Sequence, residues 1–238
     1  MMDDSTFFSS ETSVRNVNFN IIKYNKSCQD ILVSLKSLEC FLCDFENLST
    51  GRDMIFFHDK VFFLSKISIS LECTIGSIIS CCEYGCIADA NTLLRKYRDD
   101  LFFYLYILVY DSEKKSGAES KALFEMEHNI DSWLQNELNH LNINSVLKAI
   151  ASSPELNDAI KSYKLKSDFD RISRRLNSFV HGNGYWFYNQ PSNDYKGSEL
   201  AIEMAKICND AKYVTVVFLF LLMLCTPIAT MSTDYIAC

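Results

Sequence analysis

Apolar residues recur at three- and four-residue steps along most of this 238-residue chain, the period of helices that bury one face. Ile21, Ile22, Cys28, Leu32, Leu35, Leu42 and Phe45 keep that step and predict a first long helix over 18–48. Ser49 to Asp53 breaks it, and Met54 to Phe57 reads as a short turn or a first helical turn. Asp59 suits the N-cap of a second helix over about 60–84. The Ser- and Ile-rich stretch 61–79 would also suit a strand, but its length favours a buried helix. Gly85 is placed to end it, because a glycine accepts the left-handed conformation after a helix. A third helix is expected over about 87–111, with Leu94, Tyr97, Leu101 and Leu105 on its apolar face. Residues 112–118 read as a charged loop, and further helices follow at about 119–138 and 141–150. Ser153-Pro154 starts another, with proline at the first helical position. The next covers 166–181, then a loop at 185–197, then a last helix from about Ser198 to well past Lys212. The expectation is all-α: a bundle of long antiparallel helices with a buried or interface C-terminal helix. Residues 1–17 read as a flexible N-terminal segment and 18–238 as one helical domain.

Composition narrows this picture. Seven Gly and three Pro are too few for the turns of a sandwich or barrel. The 48% hydrophobic content supplies one sizeable core, and 13% aromatic residues exclude general disorder. A net charge of -7 and a pI near 5.1 argue against a broad nucleic-acid surface, so any RNA contact is confined to one cationic cleft.

The polar, acidic start Met1-Met2-Asp3-Asp4 predicts no signal peptide, hence a cytoplasmic protein whose ten cysteines serve as reduced core thiols. Cys40-Phe41-Leu42-Cys43 and the group Cys81, Cys82, Cys86 invite a zinc or redox reading. The CxxC lies inside an apolar helical pattern, however, where zinc knuckles do not form. No metal and no cofactor is expected.

Tyr213 to Met231 runs 19 residues without a charge, long enough to span a membrane. A tail anchor over 213–231 therefore stands against a core or dimer-interface helix. Continuity with the helix from Ser198, the stop offered by Pro227 and a single flanking Lys212 favour the core helix.

One segment carries candidate chemistry: Arg174-Arg175-Leu176-Asn177-Ser178-Phe179-Val180-His181-Gly182-Asn183-Gly184. At 100° per residue, Arg174 and His181 point within roughly 20° of each other. Asn177 and Ser178 fall on the same side, one turn earlier, while Phe169, Ile172, Leu176 and Phe179 form the opposite, apolar stripe. A histidine near a helix C-terminus is favoured as its cation and can act as acid or base. Arg174 can neutralise phosphate charge, and Asn177 and Ser178 can hydrogen-bond a phosphate oxygen or a 2′-hydroxyl. The plain alternative is a histidine capping its own helix beside a solvated arginine and a glycine turn. Arg175 points about 120° away and ranks lower. Gly182 and Gly184 would let a phosphate approach the backbone, and Arg175, Gly182, Asn183, Arg95 and Arg98 are the candidate substrate-binding residues. On the third helix, Arg95 and Asp99 are spaced for an intrahelical ion pair. Alternatively Arg95 or Arg98 completes a cleft beside His181. His58, His128 and His140 have no consistent spacing to acids or cysteines and receive no role.

The Arg-x6-His pattern from Arg174 to His181, with Gly182-Asn183-Gly184 after it, resembles the HEPN superfamily (higher eukaryotes and prokaryotes nucleotide-binding). Ala90 to Asp100 is similar to the arginine-bearing middle helix of several bacterial branches. The resemblance implies an all-α homodimer in which two copies of the motif form one cleft. It also implies a metal-independent endoribonuclease, often a toxin or anti-phage effector, with RNA as substrate and an antitoxin or defence protein as partner. In that scheme the RNA 2′-hydroxyl attacks the phosphate, His181 manages the proton, Arg174 neutralises charge, and Asn177 and Ser178 orient the phosphate. The family pattern has Asn, Asp or His directly after the arginine, whereas this chain has Arg175. Either the polar role has moved to Asn177 or Ser178, or the chain is a non-catalytic dimerisation or binding module.

Overall fold

The structure, a computed structural model, describes residues 14–49, 54–57, 60–117, 120–135, 143–180 and 197–225. Among these residues the elements are α1 (Val14–Tyr24), α2 (Lys26–Ser49), β1 (Met54–Phe57), β2 (Lys60–Phe63), α3 (Ser65–Glu83) and α4 (Ile87–Lys115). Then follow α5 (Lys121–Leu134), α6 (Ile143–Ile150), α7 (Pro154–Ser162), α8 (Leu165–Val180) and α9 (Gly197–Cys225). The chain is an all-α bundle with one small hairpin.

Helices α2, α3, α4 and α9 form a closed ring, each packed on two neighbours. Their apolar stripes meet at its centre, where Phe218 of α9 stands edge to face on Phe45 of α2 and Tyr104 of α4, which are tilted on one another. Leu35, Leu71, Ile75, Leu101 and Leu221 are almost fully buried around them. Burying side chains of this size contributes about 1.5–3 kcal/mol each before chain entropy is set against it. The 29-residue α4 is the spine. Its other side carries α5, α6 and α8. Partner order fixes directions: Lys96 and Asp100 of α4 meet Thr74 and Ser70 of α3, so these two run antiparallel. Asn91 and Arg98 meet Arg175 and Ser173, so α8 also opposes α4. Tyr97 meets Thr215 and Tyr104 meets Phe218, so α9 returns parallel to α4.

The α3–α4 corner is local chemistry. Gly85 sits at φ +69, the Gly85 N–H donates to the Cys82 carbonyl at 3.1 Å, and the Cys86 N–H to that of Cys81 at 2.8 Å. This is the paired bonding of a helix closed by a left-handed glycine. A Cβ there would stand 2.8 Å from Asn18 Cβ.

Several boundaries differ from the sequence expectation. The helix expected over 18–48 is two, because Asn25 Oδ1 accepts the Cys28 N–H at 3.1 Å and caps a new start. Part of the segment read as a flexible tail, from Val14, is helix. The expected turn at 54–57 and helix start at 60 are instead an antiparallel hairpin, Met54 opposite Phe63 and Ile55 opposite Phe62. Ile55 is buried, and Phe62 meets Trp133 of α5 edge-on at 5.8 Å. The charged loop expected from 112 is helix to Lys115, because Lys114 reaches Glu127 at 2.8 Å and Lys115 reaches Asp111 at 2.6 Å. Asp59 lies outside the described residues.

Half of the apolar C-terminal window faces the bundle. The helix Gly197–Cys225 is long and apolar enough to cross a membrane, and 56% of its most apolar window is buried inside the fold. Val216, Met223 and Leu224 remain exposed. The cysteines divide: Cys28, Cys82 and Cys208 are core residues, while Cys40, Cys43 and Cys73 are exposed, contrary to a uniform core role.

Candidate functional site

Helix α8 has the two faces its sequence predicts. Phe169, Ile172 and Leu176 are buried against α4, and Phe179 is half-buried. On the other side Arg174 is exposed, and among the described residues its Nε donates to the Asp170 carbonyl of its own helix, at 3.3 Å. Ser178 is half-buried and donates to the Arg175 carbonyl at 2.6 Å. Asn177 Oδ1 is buried and has no donor among the described residues. A buried acceptor left unpaired costs about 1–3 kcal/mol. His181, Gly182 and Asn183 lie outside the described residues.

Arg175, ranked lower on the helical wheel, has the strongest contacts. Its Nε and Nη2 lie 2.8 and 2.7 Å from Asp210 Oδ2, and its Nη1 donates to Asn91 Oδ1 at 2.5 Å. Asn91 is fully buried and its amide donates to the Ile87 carbonyl at 2.8 Å. Arg171 approaches the other Asp210 oxygen at 3.9 Å. One guanidinium thus ties α8 to both α4 and α9. An arginine fork held this way is shape-specific, which a lysine would not reproduce.

Arg98 forms a second tie. It is 1% exposed, its Nε and Nη2 donate to Asp99 Oδ1 at 2.8 and 2.6 Å, and its Nη1 donates to Ser173 at 2.9 Å. Its guanidinium lies 5.4 Å from the centre of the Phe169 ring. Every side is occupied, so Arg98 is not available to a ligand, and the expectation that it completes an open cleft is replaced by a buried α4–α8 contact. Arg95 makes the intrahelical pair with Asp99 that its spacing predicts, at 3.8 Å.

Two phenols complete the polar seams. Tyr97 and Thr215 hydroxyls lie 2.7 Å apart in the core, and burial pushes the Tyr97 phenol well above its ordinary value. Tyr213 donates to Asp168 at 3.1 Å; burial, reinforced by that carboxylate, holds its pKa up at about 12. The sequence reading missed Asp210, Asp168 and Tyr213. The signal for Asp210 was a lone acid among Ile207, Cys208 and Ala211, a place where an unpaired charge cannot remain. Among the described residues no group of three His, Cys, Asp or Glu comes together to hold a metal.

Compared with protein families, with curated proteins and with solved structures, the chain matches none. The chemistry open to the site is therefore that of its own groups. A solvent-facing cation and a buried acceptor without a donor among the described residues stand one turn apart, on a helix clamped at two points.

Proposed function

We propose that the chain is a HEPN-like, metal-independent endoribonuclease, acting as a toxin or anti-phage effector through a cleft composed of two copies. The observation that carries this reading is the division of labour on α8: Arg175 is consumed by Asp210 and Asn91, while Arg174 is exposed and, among the described residues, makes a long bond to its own helix. In the proposed reaction the RNA 2′-oxygen attacks the adjacent phosphorus and the 5′-oxygen leaves. This gives a 2′,3′-cyclic phosphate and a 5′-hydroxyl. His181 takes the 2′-hydroxyl proton, Asn177 Oδ1 accepts from that hydroxyl beforehand, and Arg174 neutralises the charge gathering on the phosphate. Ser178, already donating to a carbonyl, offers its lone pairs, and Gly182 and Asn183 would contribute to substrate binding. Arg175 acts here by fixing α8, not by touching RNA.

The test is cleavage of mixed cellular RNA in EDTA by the wild-type protein and by His181→Ala. Cleavage by the wild type alone, with cyclic phosphate ends, is the expected result. Equal cleavage by both, or none by either, would overturn the reading.

A second reading, a non-catalytic binding module of the same fold, is favoured by one observation: Arg175 stands where the family has a small polar residue, and it serves the fold. It predicts full function in His181→Ala. We infer a cytoplasmic location, supported by the buried side of α9. Retention in the membrane fraction after alkaline extraction would select the anchored alternative over 213–231.

A further inference from the structure

At the N-terminal end of α8, ahead of Arg174, residues of α4, α6, α7, α8 and α9 line a cavity of about 970 Å³, at the upper end of the roughly 300–1,000 Å³ usual for small-molecule sites. Its floor is apolar: Phe102, Phe169, Val214, Val217 and Leu221, with half-buried Leu147, Ile160 and Leu165 as walls. Its rim is cationic: Lys148, Lys161, Lys164 and Lys166 line it, all exposed, against the single acid Asp170. None of the four lysines pairs with an acid among the described residues, so their charges are free to meet a ligand. Four lysines against one acid make this rim locally cationic in a protein of net charge -7. Positive charge has been gathered, unneutralised, around the mouth of an apolar hole.

Lys164 adds an independent observation. It holds φ +53, the one non-glycine residue with positive φ among those described. A left-handed lysine is strained where glycine would be relaxed. Strain of this kind gathers at ligand clamps, and here it sets a lysine on the rim between α7 and α8.

We propose that this cavity binds one single-chain amphiphile, its hydrocarbon tail on the Phe102–Leu221 floor and its anionic head among the four lysines. Lysines suit such a head because each is a mobile point charge that imposes no planar fork geometry. The site is separate from the ribonuclease reading and stands or falls without it.

The experiment is calorimetric titration of the full chain with dodecanoate, dodecyl phosphate, dodecanol and inorganic phosphate, below micelle formation. Expected are one equivalent of dodecanoate or dodecyl phosphate bound, dodecanol at least tenfold weaker, and no binding of phosphate alone. The stronger of the two anions identifies the head group. Lys148→Glu/Lys161→Glu, on exposed positions that leave the fold intact, should weaken the anion at least tenfold and spare dodecanol. Lys164→Gly should weaken the anion while holding or raising the melting temperature, an effect a merely structural lysine would not give. Equal binding of alcohol and anion, several equivalents per chain, or no binding of any probe would overturn the proposal.

Discussion

The Arg175 guanidinium grips the Asp210 carboxylate with two nitrogens, at 2.8 and 2.7 Å, and thereby locks α8 to α9. Both side chains are mostly out of water, at 21% and 9% exposure. Removing one partner strands the other. Asp210→Ala should therefore cost about 3 kcal/mol, the lower end for a buried pair because Arg175 keeps some water. That corresponds to a melting temperature lower by roughly 6–12 °C for a chain of this size. The double change Arg175→Met/Asp210→Leu should recover much of it, since an apolar pair leaves no stranded charge. Thermal melts of the wild type, Arg175→Met, Asp210→Leu and the double variant complete a cycle that gives the coupling. Additive losses would show the grip to be worth nothing.

Asn177 and Arg174 separate stability from activity. Asn177→Leu removes an acceptor that has no donor among the described residues, so the melting temperature should hold or rise. Arg174→Ala, at an exposed side chain, should be neutral within about 0.5 kcal/mol. Both should lower RNA cleavage, Arg174→Ala by the 10²–10³-fold typical of a lost charge stabiliser, as an order-of-magnitude expectation of about 2.7–4 kcal/mol. Loss of stability in step with activity would assign both residues to the fold alone.

Thiol labelling at pH 8 should map the bundle. Cys40, Cys43 and Cys73 are exposed and should react within minutes. Cys82 and Cys225 should lag far behind, because burial drives the Cys82 thiol upward and holds Cys225 at about 12, leaving almost no thiolate. Peptide mapping by mass spectrometry reads the order. Early labelling of Cys82 would contradict the packing of α3.

The Tyr213–Asp168 bond predicts an alkaline limb. A phenol held at about 12 in the folded protein, against about 10 unfolded, favours the folded state below pH 10. That contribution falls away as pH rises through 12. Tyr213→Phe should lower stability at neutral pH and flatten its decline between pH 10 and 12. Denaturant unfolding at a series of pH values checks this, and parallel wild-type and variant curves would remove the phenol from the account.

Glycine at 85 should be irreplaceable. Gly85→Ala meets a left-handed φ of +69 and Asn18 at 2.8 Å. A melting temperature reduced by several degrees is expected, with α3 and α4 still helical by circular dichroism. No change would mean that the corner relaxes freely.

Local chemistry was legible in the sequence and distant chemistry was not. Gly85, the Pro154 start and the buried stripe Phe169, Ile172, Leu176 depend on neighbours within a turn or two, and spacing reveals them. The apolar residues of 60–63 fit either period; what decides for a strand is Ile55 across the hairpin and Trp133 on α5. Arg175 was undervalued because a helical wheel measures angles to His181 and is blind to partners 84 and 35 residues away, Asn91 and Asp210. The wheel placed Arg174 on the outer face correctly but could not show that Ser178 is already bonded to its own helix.

The ring of α2, α3, α4 and α9 also has a history in time. Helices α2, α3 and α4 leave the ribosome first, but the fourth side of their core is made of residues 197–225, which emerge later. Lys212 must find Ser34 across 178 positions. Until then Leu35, Leu101 and Phe45 line an open trough, the kind of surface on which nascent chains aggregate or recruit chaperones. Any translation that stops short of α9 releases a polypeptide with that trough permanently uncovered, so the cell would meet a truncated copy as a substrate for proteolysis and not as a weakened form of the protein.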